Sequence, residues 1–308
     1  MTKTDAPAAA PADSRAQVAV LLMLAGMLLF SLNDVLGKWL VGIYSPWELL
    51  LIRSLAALAI LLPLMGRQGL VAAVTVQRPG LHVLRTSLAT IEVACFYFAV
   101  VYLPLADVMA FYLAAPIFVA AMSPFLLGER VGWRRWTAIL AGFVGVVIAL
   151  GPSAASFALP ALLSIAGSFF FALMTVTTRA LGAAPDRVLV FWQTMGTLVA
   201  GLVITPFVWV PPSGRDYALL ALLGLVALGA HFCVNRSLKL APAAAVAPYQ
   251  YTMIVWAILL GYAAFGDVPS PQMLVGAAII IGSGLFIFWR EQTLKRSRPG
   301  HDGSSTRK

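Results

Sequence analysis

Between Val18 and Phe30 the chain carries no charged residue, and apolar stretches of similar character recur almost to its end. A hydrocarbon slab about 30 Å thick is crossed by about 20 apolar residues in a helix, because a helix satisfies its own backbone polar groups where no water can. With 61% hydrophobic and 11% charged residues in 308, the chain lacks the polar surface of a soluble domain. Apolar runs bounded by proline, glycine or charge predict ten helices, near 17–38, 46–65, 81–103, 106–127, 133–151, 158–181, 187–210, 217–240, 243–265 and 271–290. The expected fold class is an all-α integral membrane protein. Its links are short, so consecutive helices are expected to be antiparallel neighbours.

The ends read differently. Residues 1–16, rich in Ala and Pro, read as a disordered cytoplasmic tail, and residues 291–308 as a basic one. The first apolar run continues well past a signal-peptide core without a persuasive cleavage site, so it reads as a retained helix. If the amino terminus is cytoplasmic, only Lys38, Arg53 and Arg215 of the 21 Lys and Arg fall in the outer half. That asymmetry follows the positive-inside rule and places both termini in the cytoplasm, in a cytoplasmic (inner) membrane. The net charge of +9 is therefore a topology signal, and no nucleic-acid partner is expected. Two cysteines, Cys95 and Cys233, lie inside apolar helices, and three histidines are scattered. Disulfide, zinc and other metal readings are disfavoured, and no cofactor is expected.

Sliding the sequence on itself by 138 residues sets "CFYFAVVYLPLADVMAF" (95–111) over "CVNRSLKLAPAAAVAPY" (233–249), with Cys95 on Cys233, Pro104 on Pro242 and Ala106 on Ala244. Without a gap, "LLGER" (126–130) then meets "AFGDV" (264–268). A shift of 141 sets "FSLNDVLGKWL" (30–40) over "FALMTVTTRAL" (171–181), with Lys38 on Arg179. Two five-helix units follow, 17–151 and 158–290. Since five is odd, the second enters the membrane the opposite way round. Inverted repeats of this kind exchange conformations and expose a central site to either side in turn.

The ten helices, the two halves, the "PLA" and "APA" turns before each fourth helix, and Gly128-Glu129 with Gly266-Asp267 resemble the EamA family of the drug/metabolite transporter superfamily over residues 18 to 290. The resemblance implies a transport protein working by alternating access on a small metabolite. It leaves the solute open, because members of that pattern handle amino acids, nucleosides, vitamins, S-adenosylmethionine and other solutes.

An ionisable group at membrane depth costs roughly 2.5–3.5 kcal/mol on insertion scales, so each demands a partner or a wet cavity. Asp34 and Arg53 lie at similar depths in the first two helices, which makes an ion pair between them reasonable, and Asn33 adds a second polar side chain beside Asp34. Lys38 either forms an i,i+4 pair with Asp34 and snorkels to the surface, or faces a hydrated inner cavity together with Asn33 and Asp34. Glu92, in mid-helix within "TSLATIEVACFYF", is either a proton carrier or substrate counter-ion, or a structural partner of Arg53 or Arg85. Arg85 itself reads as an anchor at the cytoplasmic end. The second half offers Trp192 and Gln193, His231 and Asn235 one turn apart on one face, and Tyr249 and Gln250. Tyr112 and Tyr97 complete the candidate pathway residues, with aromatic belts and ordinary packing as the alternative. Glu129 and Asp267 read as helix-capping acids. Pro116 and Pro248 mark positions for bending, and Gly142, Gly145, Gly276, Gly282 and Gly284 mark close helix contacts.

No P-loop is present and no soluble domain exists to hold one, so the expectation is a secondary transporter driven by a proton or solute gradient, or an exchanger. Charge complementarity favours an amino-acid-like solute, with a bulky neutral vitamin close behind. A lipid-moving or channel-like protein is the alternative, and an intramembrane enzyme is disfavoured because no paired catalytic groups stand out. Partners are the solute and the bilayer. Monomer and homodimer both remain open.

Overall fold

The computed structural model describes residues 12–126, 128, 132–150, 159–181, 184–241 and 246–296. The tail expectations for residues 1–11 and 297–308, and those for Glu129, Pro242 and Ala244, lie outside them. The helices are α1 (Ala12–Val41), α2 (Pro46–Val74), α3 (Pro79–Val100), α4 (Leu105–Tyr112), α5 (Ala115–Leu126), α6 (Trp133–Leu150), α7 (Leu159–Ala180), α8 (Asp186–Ile204), α9 (Gly214–Leu240), α10 (Thr252–Phe265) and α11 (Pro271–Arg296). Nine spans in the described residues are long and apolar enough to cross a membrane, with α4 and α5 forming one of them. The tenth crossing is α10 with the 3₁₀ segment Ala247–Tyr251 that leads into it. Helices begin where the chain supplies caps. Ser45 accepts from the Trp47 amide ahead of Pro46, Ser213 from the Asp216 amide, and Ser270 from the Met273 amide ahead of Pro271. Two ends run past expectation, since α1 already starts at Ala12 and α11 continues to Arg296. Helix α2 also resumes beyond residue 65, after Gly66 breaks it in the left-handed region at φ 59°.

Neighbours in sequence are not the main neighbours in space, contrary to the expectation from short links. The most extensive packing runs between the repeats, α1 on α9, α6 on α11, α3 on α7 and α2 on α8, and α4 also meets α10. Each repeat therefore buries its apolar faces mainly against the other, and neither is a closed bundle. A two-fold relation is plain in this list. It exchanges the α1–α9 and α3–α7 pairs and maps the other three pairs onto themselves.

The sequence offsets reappear as contacts. A methyl placed on Gly26 would meet the Cys233 Cβ at 3.4 Å, and one on Gly167, 141 residues later, would meet the Cys95 Cβ at 3.2 Å. Gly128 and Gly266 take the same left-handed conformation, φ 66° and 70°. Both fourth crossings are interrupted at matching points, between Tyr112 and Ala115 in one repeat and at Tyr251–Thr252 in the other. In the first, Pro116 has no amide to offer the Tyr112 carbonyl. The Ser168 hydroxyl on α7 reaches that carbonyl at 3.5 Å instead.

The α6–α11 seam shows why glycine was expected at close contacts. A methyl on Gly276 would lie 2.6 Å from the Ala149 amide nitrogen and from the Gly145 carbonyl, while Ser283 Oγ donates to the Ala138 carbonyl at 2.6 Å. Gly142 abuts Ile117 and Gly284 abuts the Tyr251 hydroxyl. Gly282 is the exception, with nothing within 4 Å.

Candidate functional site

We call the face reached by the end of α1 distal and the opposite one proximal. Where α2 crosses α9, Gly224 lies against the Arg53 carbonyl so closely that no side chain fits. This contact fixes the backbone from which Arg53 projects. Its Nη1 donates to the Tyr97 hydroxyl at 2.7 Å, and its guanidinium carbon lies 5.7 Å from the Tyr97 ring centre. Tyr97 is 1% exposed, and its ring fills the space left by Gly37, where a methyl would come within 2.6 Å of Cε1. One glycine on α1 thus seats the tyrosine that orients the arginine.

Asp34, on the same stretch of α1, is 8% exposed, and its Oδ2 has no hydrogen-bond partner from the protein. Among the described residues there is no Asp34–Arg53 ion pair and no Asp34–Lys38 pair. Instead Arg53 bonds to Tyr97, and its charge acts at longer range on Asp34, Glu92 and His231. Asn33 is spoken for, since its Nδ2 donates to the Leu223 carbonyl on α9 at 2.6 Å. Its role is to tie α1 to α9 next to the Gly224 crossing.

Glu92 lies deep in the bundle and is partly buried. The Tyr112 hydroxyl donates to the Glu92 main-chain carbonyl at 3.1 Å, and Gly167 leaves room for the phenol. No Glu92 ion pair with Arg53 or Arg85 exists among the described residues. His231 meets the Phe30 ring edge to face at 4.9 Å, and Asn235 is half-buried one turn further along α9. Asp34, Arg53, Glu92, Tyr97, Tyr112 and His231 thus form one polar group drawn from α1, α2, α3, α4 and α9, the last from the second repeat.

Other candidates are placed elsewhere. The Trp192 indole donates to the Ala73 carbonyl at 2.9 Å and packs 5.6 Å from the His82 ring, so it fastens α8 to α2 and α3 away from the arginine. Arg85 anchors as expected, but by buried ties, donating to Thr178 Oγ1 at 2.7 Å and to the Leu189 carbonyl at 3.2 Å, with Gln193 Oε1 at 3.5 Å. Gln193 therefore belongs to a proximal network with Arg85. Tyr249 and Gln250 are exposed on the 3₁₀ segment that borders α1 and α10.

Four acids carry more than the sequence suggested. Lys38 pairs with Asp267 at 2.7 Å, so Asp267 is a bridge partner and Lys38 neither snorkels nor pairs with Asp34. Asp107 lies beside that pair, with Oδ1 buried and unpartnered. Glu48, 0% exposed, accepts from the Val210 amide at 3.1 Å, and the Tyr44 hydroxyl donates to Asp216 at 2.7 Å. These last two contacts fasten the α1–α2 turn under the α8–α9 link. The buried acid of "SPWE" was a signal in the sequence; its partner, a main-chain amide, was not.

The description "EamA-like transporter family" fits residues 17–151 and again 158–289, one match per repeat. An S-adenosylmethionine uptake transporter of Rickettsia prowazekii (strain Madrid E) is 28% identical over 87% of this chain and 91% of its own length. A riboflavin transporter of Vibrio cholerae is 30% identical over 80% and 85%. A pseudopaline exporter of Pseudomonas aeruginosa is 27% identical over 85% and 93%. A solved crystal structure superposes with a TM-score of 0.63 over 91% of this chain at 19% identity. Two interlocked repeats of five crossings, each matched by the same family along its whole length, make the chain a member of the EamA-like transporter family, a multi-pass membrane protein that transports a small metabolite and is not an enzyme.

Proposed function

We propose that the protein is a secondary carrier that moves a small solute with an amino-acid-like head across the cytoplasmic membrane by alternating access, with both termini in the cytoplasm and the distal face outside. The observation that carries the reading is the charge balance of the enclosed group. One guanidinium, Arg53, acts at a distance on two buried acids, Asp34 and Glu92, and the Asp34 Oδ2 lacks a protein partner. A solute carboxylate would engage Arg53, and its ammonium or other cation would complete Asp34. The names of the relatives include S-adenosylmethionine, which joins an amino-acid head to a sulfonium, and this agrees with the chemistry. Riboflavin among the other names keeps a neutral heterocycle as the comparison solute. Glu92, partly buried in the middle of α3, is the group we assign to proton coupling.

A lipid-moving protein is the second reading. It draws on an apolar groove of about 570 Å³ between α3 and α8, lined by Thr86, Thr90, Trp192 and Gly196 among others. Uptake and counterflow in proteoliposomes, with cationic, zwitterionic and neutral solutes in parallel, test the first reading. Saturable flux of zwitterions or cations supports it. Flux confined to neutral solutes, or scrambling of labelled lipid without solute flux, refutes it.

A further inference from the structure

The Lys38 ammonium holds three elements at once. It donates to Asp267 Oδ2 at 2.7 Å, in the link before α11, and to the Leu103 carbonyl at 3.1 Å, in the link between α3 and α4. It also lies 4.7 Å from the centre of the Phe265 ring at the end of α10. Both side chains of the ion pair are largely withdrawn from solvent, 14% and 22% exposed, whereas the other ion pair among the described residues, Lys239–Asp186, is 63% and 40% exposed. An exposed pair contributes little; a withdrawn one holds its partners, because parting it strands a charge in a poorly hydrated place.

Position decides what this bridge does. Residues 34 and 38 share one face of α1, a single turn apart, so the bridge lies directly distal to Asp34. It joins α1 and the α3–α4 link of the first repeat to the α10–α11 link of the second, between Asp34 and the distal face. Asp107 sits in the first turn of α4, four residues after the Leu103 whose carbonyl Lys38 holds, and its Oδ1 is buried without a partner. Two acids thus compete for one ammonium.

We propose that Lys38–Asp267 is the distal gate of the carrier, and that Asp107 is the reserve acceptor to which Lys38 passes when the gate parts. Handing the ammonium from Asp267 to Asp107 keeps it paired throughout, so opening does not require a lone buried cation. The gate then opens when α11 and its preceding link move from α1, while Lys38 stays beside α4. The proposal rests on the carrier reading above.

The test uses the full chain with Cys233→Ser, leaving Cys95, three residues from Glu92, as reporter. Right-side-out and inside-out vesicles are labelled with a membrane-impermeant maleimide. Asp267→Asn should raise Cys95 labelling several-fold from the outside, and the swap Lys38→Asp with Asp267→Lys should bring it back toward the parent rate. Asp107→Asn should leave resting labelling unchanged but slow solute exchange several-fold. A rise seen only in inside-out vesicles supports the gate and refutes our orientation. Unchanged labelling from both faces in Asp267→Asn, with only a lower melting midpoint, overturns the gate. Parent-like exchange in Asp107→Asn overturns the hand-over.

Discussion

Replacing Asp34 by asparagine should move stability and transport in opposite directions. The carboxylate is 8% exposed and its Oδ2 receives no hydrogen bond from the protein. An unsatisfied buried polar group costs about 1–3 kcal/mol, and a charged one more. Asparagine keeps the shape and a polar amide but cannot ionise, so Asp34→Asn should raise stability by only the excess cost of a charged over a neutral unsatisfied group, on the order of 1 kcal/mol. If the same oxygen receives the solute cation, the variant forfeits a charge-assisted hydrogen bond of about 1.5–3 kcal/mol. At 1.4 kcal/mol per decade that weakens binding by roughly 10- to 150-fold. Tryptophan-fluorescence melting of the solubilised protein reads the first effect, and concentration-dependent uptake into proteoliposomes reads the second. A neutral solute carried by the same protein should lose far less. The reasoning fails if Asp34→Asn destabilises by about 3–5 kcal/mol, the cost of parting a buried ion pair, and lowers uptake of charged and neutral solutes alike.

The other predictions concern separate links in the site and scaffold. Tyr97→Phe keeps the ring against Gly37 but frees Arg53, and Gly37→Ala displaces the ring; both should raise KM about tenfold, the effect of about 1.4 kcal/mol, in the same uptake assay. Glu92→Gln should flatten the pH dependence of transport in a protein that still folds, read from uptake rates across imposed pH steps; an unchanged profile removes its proton role. Gly276→Ala should cost about 1–3 kcal/mol through overpacking at the α6–α11 seam, while Gly282→Ala, with open space around it, should melt with the parent.

How much of this was legible in the sequence depends on the range of the force involved. Helix number and repeat offset follow from hydrocarbon thickness and self-similarity, both local to the chain, so the ten crossings and the Cys95–Cys233 register read directly. Pairing across repeats did not, because short links suggest sequential packing and say nothing of the faces each helix leaves apolar. The site divided the same way. Asp34, Arg53 and Glu92 announce themselves by the cost of charge in hydrocarbon. Their partners do not, since Arg53 chose a tyrosine hydroxyl, Asn33 a main-chain carbonyl 190 residues away, and Lys38 an acid 229 residues away. Gly37 and Gly224 could have been noticed as glycines within spans, but only the crossing of helices shows what each one admits.

The cross-repeat packing also limits how the molecule can move. If the repeats were separate bundles, alternating access would be one bundle rocking on the other. Here α1 packs on α9 and α3 on α7, so moving either repeat as a block would tear both seams. The two-fold relation offers a different path. It carries the α1–α9 pair onto α7–α3 and exchanges the two faces, so the distal tie of Asn33 to the Leu223 carbonyl and the proximal tie of Arg85 to Thr178 are counterparts; the seams differ in that Ser237 also holds the Ala19 carbonyl at the proximal end of α1–α9. Exchanging the geometries of the two seams would turn the molecule inside out while every helix keeps its principal neighbour. The interrupted fourth crossings are suited to absorb the difference, because the Tyr112 carbonyl freed by Pro116 is held only by Ser168 at 3.5 Å. Ser168→Ala should therefore change the rate of solute exchange more than the melting midpoint, and equal effects on both would place the bending elsewhere.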